Sequence, residues 1–282
     1  MPRSPLRVVA VQTASGADAA ANLAAIEALL PAPGTADLVV LPEGFACRGT
    51  WETVRRAAEP AGGPLVQWLA ATAIRLGCWV LGGSVAEREG ARVYNTSLLV
   101  DRRGRQRAAY RKIHLFRARL ADGTEVSERA CYTPGTQPCS ARIAGWRSGL
   151  SICFDLRFPE LYRGYAAQGA DLLLIPSDFT DETGRAHWEV LVRARAIENQ
   201  CWVVAPNQCG VNAQTGVKSH GRSLIVDPWG RILARGTTAP CRLEAILDPA
   251  LGAGIRRRMP GRYDRRGGHG HASASGVSRH DR

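Results

Sequence analysis

The chain reads as an α/β protein built from two similar halves, each a helix-covered sheet, packed face to face about a pseudo-twofold axis. Three observations predict this. Near-continuous apolar runs of strand length alternate with amphipathic helical segments, the pattern of sheets covered by helices. Three segments recur in the same order: ADLVVLP from Ala36 returns as ADLLLIP from Ala170, CWVL from Cys78 as CWVV from Cys201, and TSLLVDRRGR from Thr96 as RSLIVDPWGR from Arg222. Ordered self-similarity of this kind marks a duplicated unit. No linker-like stretch separates the two copies, so they count as one domain.

Each unit is predicted to run as a buried strand ending in Pro, a helix, a second strand opening Cys-Trp, and a hairpin turning at Asp-x-x-Gly. The first helix is the clearest. Pro64 opens it, Leu65, Trp68, Leu69, Ala73 and Leu76 share a face, and Gly77 closes it. A second helix is expected from Pro159 to Gln168 and a third over about residues 187 to 199. Paired strand ends then mark a site: Glu43 follows the first repeated strand and Ser177 its counterpart, and crevices at carboxyl ends of strands favour ligands.

Composition narrows the function. With 282 residues, 45% hydrophobic and 22% charged, the chain can bury a sizeable core. No apolar run is long enough to span a membrane, and LRVVAVQ is too short for a signal-peptide core. The eight cysteines form no C-x-x-C pair, which argues against a zinc site or a disulfide framework and for a reducing cytoplasm. The net charge of +12 suggests nucleic acid until it is located. Half of it lies in residues 255 to 282, and the rest is dispersed without a basic cluster, so no nucleic-acid partner is expected. The domain is expected to span residues 1–266, with 267–282 a disordered Arg/His/Gly tail. Of 37 basic residues only Lys112 and Lys218 are lysines, which singles out Lys112 in the apolar-flanked YRKIHLF as a compact ammonium.

The segment GLSICFDLRFPELYRGYAAQG delivers Cys153 to the end of an apolar strand, just before a helix begins at Pro159. Such a turn exposes its tip, and a helix amino terminus with a nearby ammonium favours thiolate, so Cys153 is a candidate nucleophile. It also reads as a small buried hydrophobe, as Cys47, Cys78, Cys201 and Cys241 do. Glu43 in VVLPEGF sits where a carboxylate is costly unless paired or protonated, which suits a general base. A solvated lid carboxylate is the other reading. His114 should point the same way as Lys112, and with His187 and His220 it keeps a Cys-His acyltransferase or protease open.

LPEGF with Glu43, YRKIHLF with Lys112 and ICFDLRFPE with Cys153, in that order and spacing, resemble the three catalytic segments of the nitrilase superfamily of carbon-nitrogen hydrolases. The similarity runs from about residue 6 to residue 266, and TGRAHWEVLVRARAIENQ and GRSLIVDPWG strengthen it. Within the superfamily, ICFDLRFPE resembles the Nit branch, the amidases of the ω-amidase and deaminated-glutathione type, whereas true nitrilases typically carry Trp-Glu where this chain has Phe154-Asp155. The resemblance implies a four-layer αββα sandwich, a homodimer formed through the helices around 159 to 168 and 187 to 199, and chemistry without cofactor or metal. It implies that Glu43 takes the proton of Cys153, that Lys112 and the Phe154 N–H hold the oxyanion, and that Glu128 orients Lys112 and the substrate. Substrate contacts are expected from Phe116, Phe154, Arg157, Ser177, Asp178 and Phe179.

Two departures from the family pattern concern substrate. Arg117 and Arg119 stand where relatives often carry Asp-x-Asp, and Asp178 adds a charge after Pro176-Ser177. Arg117 or Arg119 is expected to meet Asp178 at one pocket mouth, leaving an arginine for a substrate carboxylate. Solvated loop charges are the other reading. The expected function is a thiol-dependent hydrolysis of a small linear amide, with an N-carbamoyl hydrolase or a non-enzymatic scaffold of the same fold as alternatives.

Overall fold

The computed structural model of the protein describes residues 3–119 and 125–260. The predicted domain end at residue 266 and the tail 267–282 lie outside the described residues. Twelve strands form two large sheets: β1 (Leu6–Gln12), β2 (Leu38–Val40), β3 (Trp79–Glu89), β4 (Arg92–Val100), β5 (Gln106–Arg111), β6 (Cys139–Ile143), β7 (Trp146–Leu150), β8 (Leu172–Leu174), β9 (Trp202–Ala205), β10 (Leu224–Val226), β11 (Ile232–Arg235) and β12 (Cys241–Leu247). The first sheet has the order β12-β1-β2-β3-β4-β5, with the two-residue strand Glu59–Pro60 pairing on β3; the second runs β6-β7-β8-β9-β10-β11.

The two sheets repeat each other strand for strand. Parallel pairs β1/β2 and β2/β3 match β7/β8 and β8/β9, and antiparallel β12/β1, β3/β4 and β4/β5 match β6/β7, β9/β10 and β10/β11. Single hydrogen bonds repeat too. Trp79 N donates to Asp37 O at 2.9 Å as Trp202 N does to Asp171 O at 2.9 Å. Asp101 accepts the N–H groups of Arg103 and Arg105, as Asp227 accepts those of Trp229 and Arg231, closing the two Asp-x-x-Gly hairpins. The edge strand beside β1 comes from the far end of the chain, whereas its equivalent beside β7 is the preceding strand.

Strand alternation builds the layers. Leu6, Val8 and Ala10 of β1 and Leu38 and Val40 of β2 point into a core shared with Leu150, Leu172, Leu174 and Val204 of the other sheet. The intervening Val9, Val11, Val39 and Val80 face outward under helices α1 (Ala19–Glu27) and α3 (Pro64–Leu76), with Ile26, Leu65, Leu69, Ala73 and Leu76. The short α2 (Trp51–Arg56) caps the cleft, and α4 (Pro159–Ala167) and α5 (Glu189–Asn199) cover the second sheet with Tyr162, Tyr165, Val192 and Ala196. This is the expected four-layer αββα sandwich. A last helix, α6 (Pro249–Arg258), packs near β9. No helix among the described residues is long and apolar enough to cross a membrane.

The first helix matches its prediction, with Pro64 in its first turn and a left-handed Gly77 cap. The third departs from it. The helical stretch starts at Asp181 and passes through a π segment, Gly184–Trp188, before α5 begins at Glu189. A Cβ on Gly184 would lie 2.2 Å from the His220 ring, so a glycine there lets the His220 strand approach the helix closely. That contact is long-range in sequence and leaves no local signal.

Candidate active site

Glu43 stands just beyond β2, on the turn Pro42–Gly44. The neighbouring strand passes directly under this turn: a Cβ on Gly83 would sit 1.8 Å from Pro42 O. Glycine at that point lets β3 run beneath the turn and leaves Glu43 7% exposed. Lys112 follows β5 and is 1% exposed. Its ammonium donates to Glu43 Oε1 at 2.9 Å and lies 2.9 Å from both oxygens of Glu128. Glu128 begins a single 3-10 turn behind the hairpin of strands Arg117–Arg119 and Glu125–Ser127, and its Oε2 accepts the Phe116 N–H at 2.6 Å.

Cys153 lies three residues past β7, with its N–H donated to Pro176 O at 2.8 Å and a left-handed φ of 47°. A non-glycine residue in that region carries strain that the surrounding structure must hold. Four donors fix the turn by converging on buried Asp155: Tyr110 Oη at 2.7 Å, Ile152 N at 2.9 Å, His114 N at 3.0 Å and His114 Nδ1 at 2.8 Å. The turn opens a short 3-10 helix, Cys153–Arg157, whose first N–H groups, that of Phe154 included, have no partner within the helix.

Electrostatically the four groups form one unit. Burial lifts the Glu43 carboxyl above its ordinary value, Lys112 pulls it back and Glu128 lifts it further. Burial works to lower the Lys112 ammonium, but Glu128, Glu43 and Cys153 outweigh it and hold it well above its usual range. The expected pull toward thiolate is not what this site produces. Burial, then the negative charge of Glu43, push Cys153 well up, against the weaker pull of Lys112 and the Asp178 N–H. With its proton held this firmly the sulfur is a thiol, and an attack by it requires a base.

These groups line a cavity of about 550 Å³ together with Trp51, Val85, Phe116, Phe154, Phe179 and Val217. Of the predicted substrate contacts, Phe116, Phe154, Arg157, Asp178 and Phe179 line it. Ser177 does not. It is fully buried and its hydroxyl donates back to Ile175 O at 3.0 Å, because the chain turns inward one residue before the cavity wall.

The expected meeting of Arg117 or Arg119 with Asp178 is likewise corrected. Both arginines are exposed on their hairpin and neither lines the cavity; Arg117 pairs with Glu125. Asp178 is held by Arg48 at 2.8 Å and by the Ser219 hydroxyl. The cavity cation without a carboxylate partner among the described residues is Arg157, which meets His187 Nδ1 at 3.3 Å and lies over the rings of Phe154 and Phe179. The histidines go elsewhere: His114 stacks on Phe158 at 3.7 Å, His220 meets Asp181, and no histidine lines the cavity among the described residues. This removes the Cys-His arrangement.

Among the polar residues of the cavity that escaped the sequence reading, Asn95 and Arg48 touch its charged groups. Asn95 Nδ2 donates to Glu43 Oε1 at 2.9 Å, and Arg48 ties Asp178 to Ser15 O and the Ser219 hydroxyl. The one signal for Asn95 was an amide inside the apolar strand RVYNTSLLV; Arg48 is one of 35 arginines and carried none.

Comparison with known proteins gives the family. The family described as carbon-nitrogen hydrolase matches residues 7–241. A deaminated glutathione amidase of Synechocystis sp. is 37% identical over 263 residues, 91% of this chain and 96% of its own length. The Caenorhabditis elegans NitFhit protein superposes with a TM-score of 0.84 at 32% identity, over 92% of this chain; the chain spans 65% of that protein's length. An amidase from a Nesterenkonia species, solved with acrylamide added at its active-site cysteine, is 27% identical with a TM-score of 0.70, over 90% of this chain and 99% of its own. With a family match over most of its length and relatives this similar, the chain belongs to the carbon-nitrogen hydrolase family, in the Nit branch of the nitrilase superfamily.

Proposed function

We propose that the protein is a thiol amidase that hydrolyses the C–N bond of a small linear amide bearing a carboxylate, through a thioester on Cys153. The observation that carries this is the gathering of Glu43, Lys112, Glu128 and Cys153 on the wall of a single cavity. Glu43 accepts the thiol proton as Sγ bonds to the amide carbon, and the carbonyl electron pair moves to oxygen, where the Lys112 ammonium and the Phe154 N–H stabilise it. When the tetrahedral species collapses, the C–N bond breaks and nitrogen leaves as ammonia with the proton from Glu43. A water then gives a proton to Glu43 and adds to the thioester; the C–S bond breaks and the thiol recovers its proton. Glu128 holds the ammonium at two oxygens, which orients it toward the carbonyl oxygen of the substrate.

The substrate class follows from charge. Lys112 and Arg48 are matched by carboxylates, whereas Arg157 is a guanidinium with none among the described residues, over aromatic rings that limit its solvation. A deaminated-glutathione-like or ω-amide substrate supplies the missing carboxylate, and a cavity of about 550 Å³ suits such a molecule. Eight free thiols suit a reducing cytoplasm. The exposed Val190 and Ile197 on α5 support a homodimer through α4 and α5.

The test is ammonia release from deaminated glutathione, α-ketoglutaramate, glutamine and N-carbamoyl-β-alanine by wild type and Cys153→Ala. Release from an acidic amide that vanishes in the variant is expected. Carbon dioxide released with ammonia would instead favour the N-carbamoyl hydrolase, and silence across a wider amide series would sink the amidase reading.

A further inference from the structure

Asn95 occupies β4, 3% exposed, and touches both charged partners of the site. Its side-chain Nδ2 donates to Glu43 Oε1 at 2.9 Å, and its backbone carbonyl accepts the Lys112 N–H at 2.8 Å. Its remaining atom is unusual. Oδ1 is buried and has no hydrogen-bond partner among the described residues, a costly state for an amide oxygen. The opposite orientation of the amide would place that oxygen against the Glu43 carboxylate, so the unpaired acceptor is the cost of keeping a donor on Glu43.

We propose that Asn95 is a positioning residue for Glu43: with Lys112 it saturates Oε1 and leaves Oε2 as the oxygen that takes the proton of Cys153. Two donors at 2.9 Å match in number the two lone pairs of Oε1, which leaves Oε2 as the oxygen with free basic pairs. The same residue, by its backbone, sets where Lys112 starts, so one strand position fixes the base and the ammonium relative to each other. The titratable groups facing Glu43 are Lys112, Glu128, Cys153 and the Tyr132 hydroxyl, and Asn95 is a neutral donor among them.

This rests on Glu43 acting as the base, so its test needs no substrate. The alkylation rate of Cys153 by iodoacetamide, read by mass spectrometry on the Cys153 peptide of the full chain, is followed against pH. In wild type the rate falls on the acid side as Glu43 takes up a proton. In Asn95→Ala that fall moves to higher pH by about one to two units, the effect of losing a hydrogen bond to a charged group worth roughly tenfold to a hundredfold in proton affinity. Asn95→Asp keeps the shape, replaces the donor with an acceptor and shifts the fall in the same direction, which covers poor folding of the alanine variant. A residue needed only for packing would lower the melting temperature and leave the acid-side fall in place, which overturns the proposal. Glu43→Gln separates the two readings: if it changes the profile and neither Asn95 variant does, the positioning role alone falls. If its profile overlays wild type, Glu43 is not the base and both readings fall.

Discussion

The two sheets place equivalent residues at equivalent strand ends, and only one set is charged. In register, Ala10 beside Val40 matches Leu150 beside Leu174, so Thr13 is the counterpart of Cys153 and Ser177 the counterpart of Glu43. Cys153 and Glu43 face the cavity with Lys112. Thr13 and Ser177 are buried at 3% and 0% exposure and belong to a neutral network: Thr13 Oγ1 donates to Gln208 Oε1 at 3.1 Å, and Gln208 Nε2 donates to Glu43 O at 3.0 Å and to the Ser15 hydroxyl at 3.1 Å. The same backbone frame thus supports a strained, ionised end and a relaxed, fully hydrogen-bonded one. The second braces the first, since Gln208 grips the main chain of the residue proposed as base.

The sharpest way to break this comparison is to treat counterparts alike. Cys153→Ala is expected to lower amide hydrolysis by at least about a thousandfold and Glu43→Gln by about a hundredfold to ten-thousandfold. Thr13→Ala should leave turnover per folded molecule within a few fold, roughly the effect of a bracing contact. Single-turnover ammonia release reads all three; equal losses at Thr13 and Cys153 would erase the distinction between the two ends. A second swap tests stability. Ser177→Glu buries a carboxylate with no cation waiting, and urea unfolding should show a loss of about 3–5 kcal/mol. Glu43→Gln should cost far less, because the amide still meets the donors of Asn95 and Lys112.

How much of this was legible beforehand follows the range of the forces involved. The layered fold was readable because strand alternation and helix periodicity are local, and the duplicated turns carried their own Asp and Gly. Glu43 and Lys112 drew notice because a charge in an apolar frame is costly, but Cys153 also read as a small buried hydrophobe, and it was the resemblance of the three segments to the nitrilase superfamily that set the three residues together. What was not readable is pairing across the fold. Asp178 finds Arg48, 130 positions away, rather than Arg117 or Arg119 close to Lys112 in sequence. Ser177 looked like a cavity residue from its strand end, yet its hydroxyl turns back to Ile175 O. The thiol's rise was hidden too: a helix amino terminus is visible in sequence, whereas burial beside Glu43 is not.

On the cavity side, the asymmetry extends to substrate choice. Arg157→Gln should raise KM for an acidic amide by about tenfold to a hundredfold, the worth of a charge-assisted hydrogen bond, with little change for a neutral amide of the same length. Parallel KM measurements on the two amides check this, and an equal rise for both would show that Arg157 shapes the cavity without reading charge.

The smallest expected effect lies in the brace. Gln208→Ala removes a side chain that donates to Glu43 O and to the Ser15 hydroxyl and accepts from Thr13 and the Ser15 N–H. Its direct cost in urea unfolding should be about 1–3 kcal/mol, since buried partners are left unpaired. The informative number is the ratio of that loss to the change in turnover. A brace holds Glu43 only through its main chain, while Asn95 and Lys112 still grip the carboxylate, so turnover should fall by less than about tenfold as stability drops. A fall in turnover matching that of Glu43→Gln would move Gln208 from the relaxed end of the frame into the reacting one.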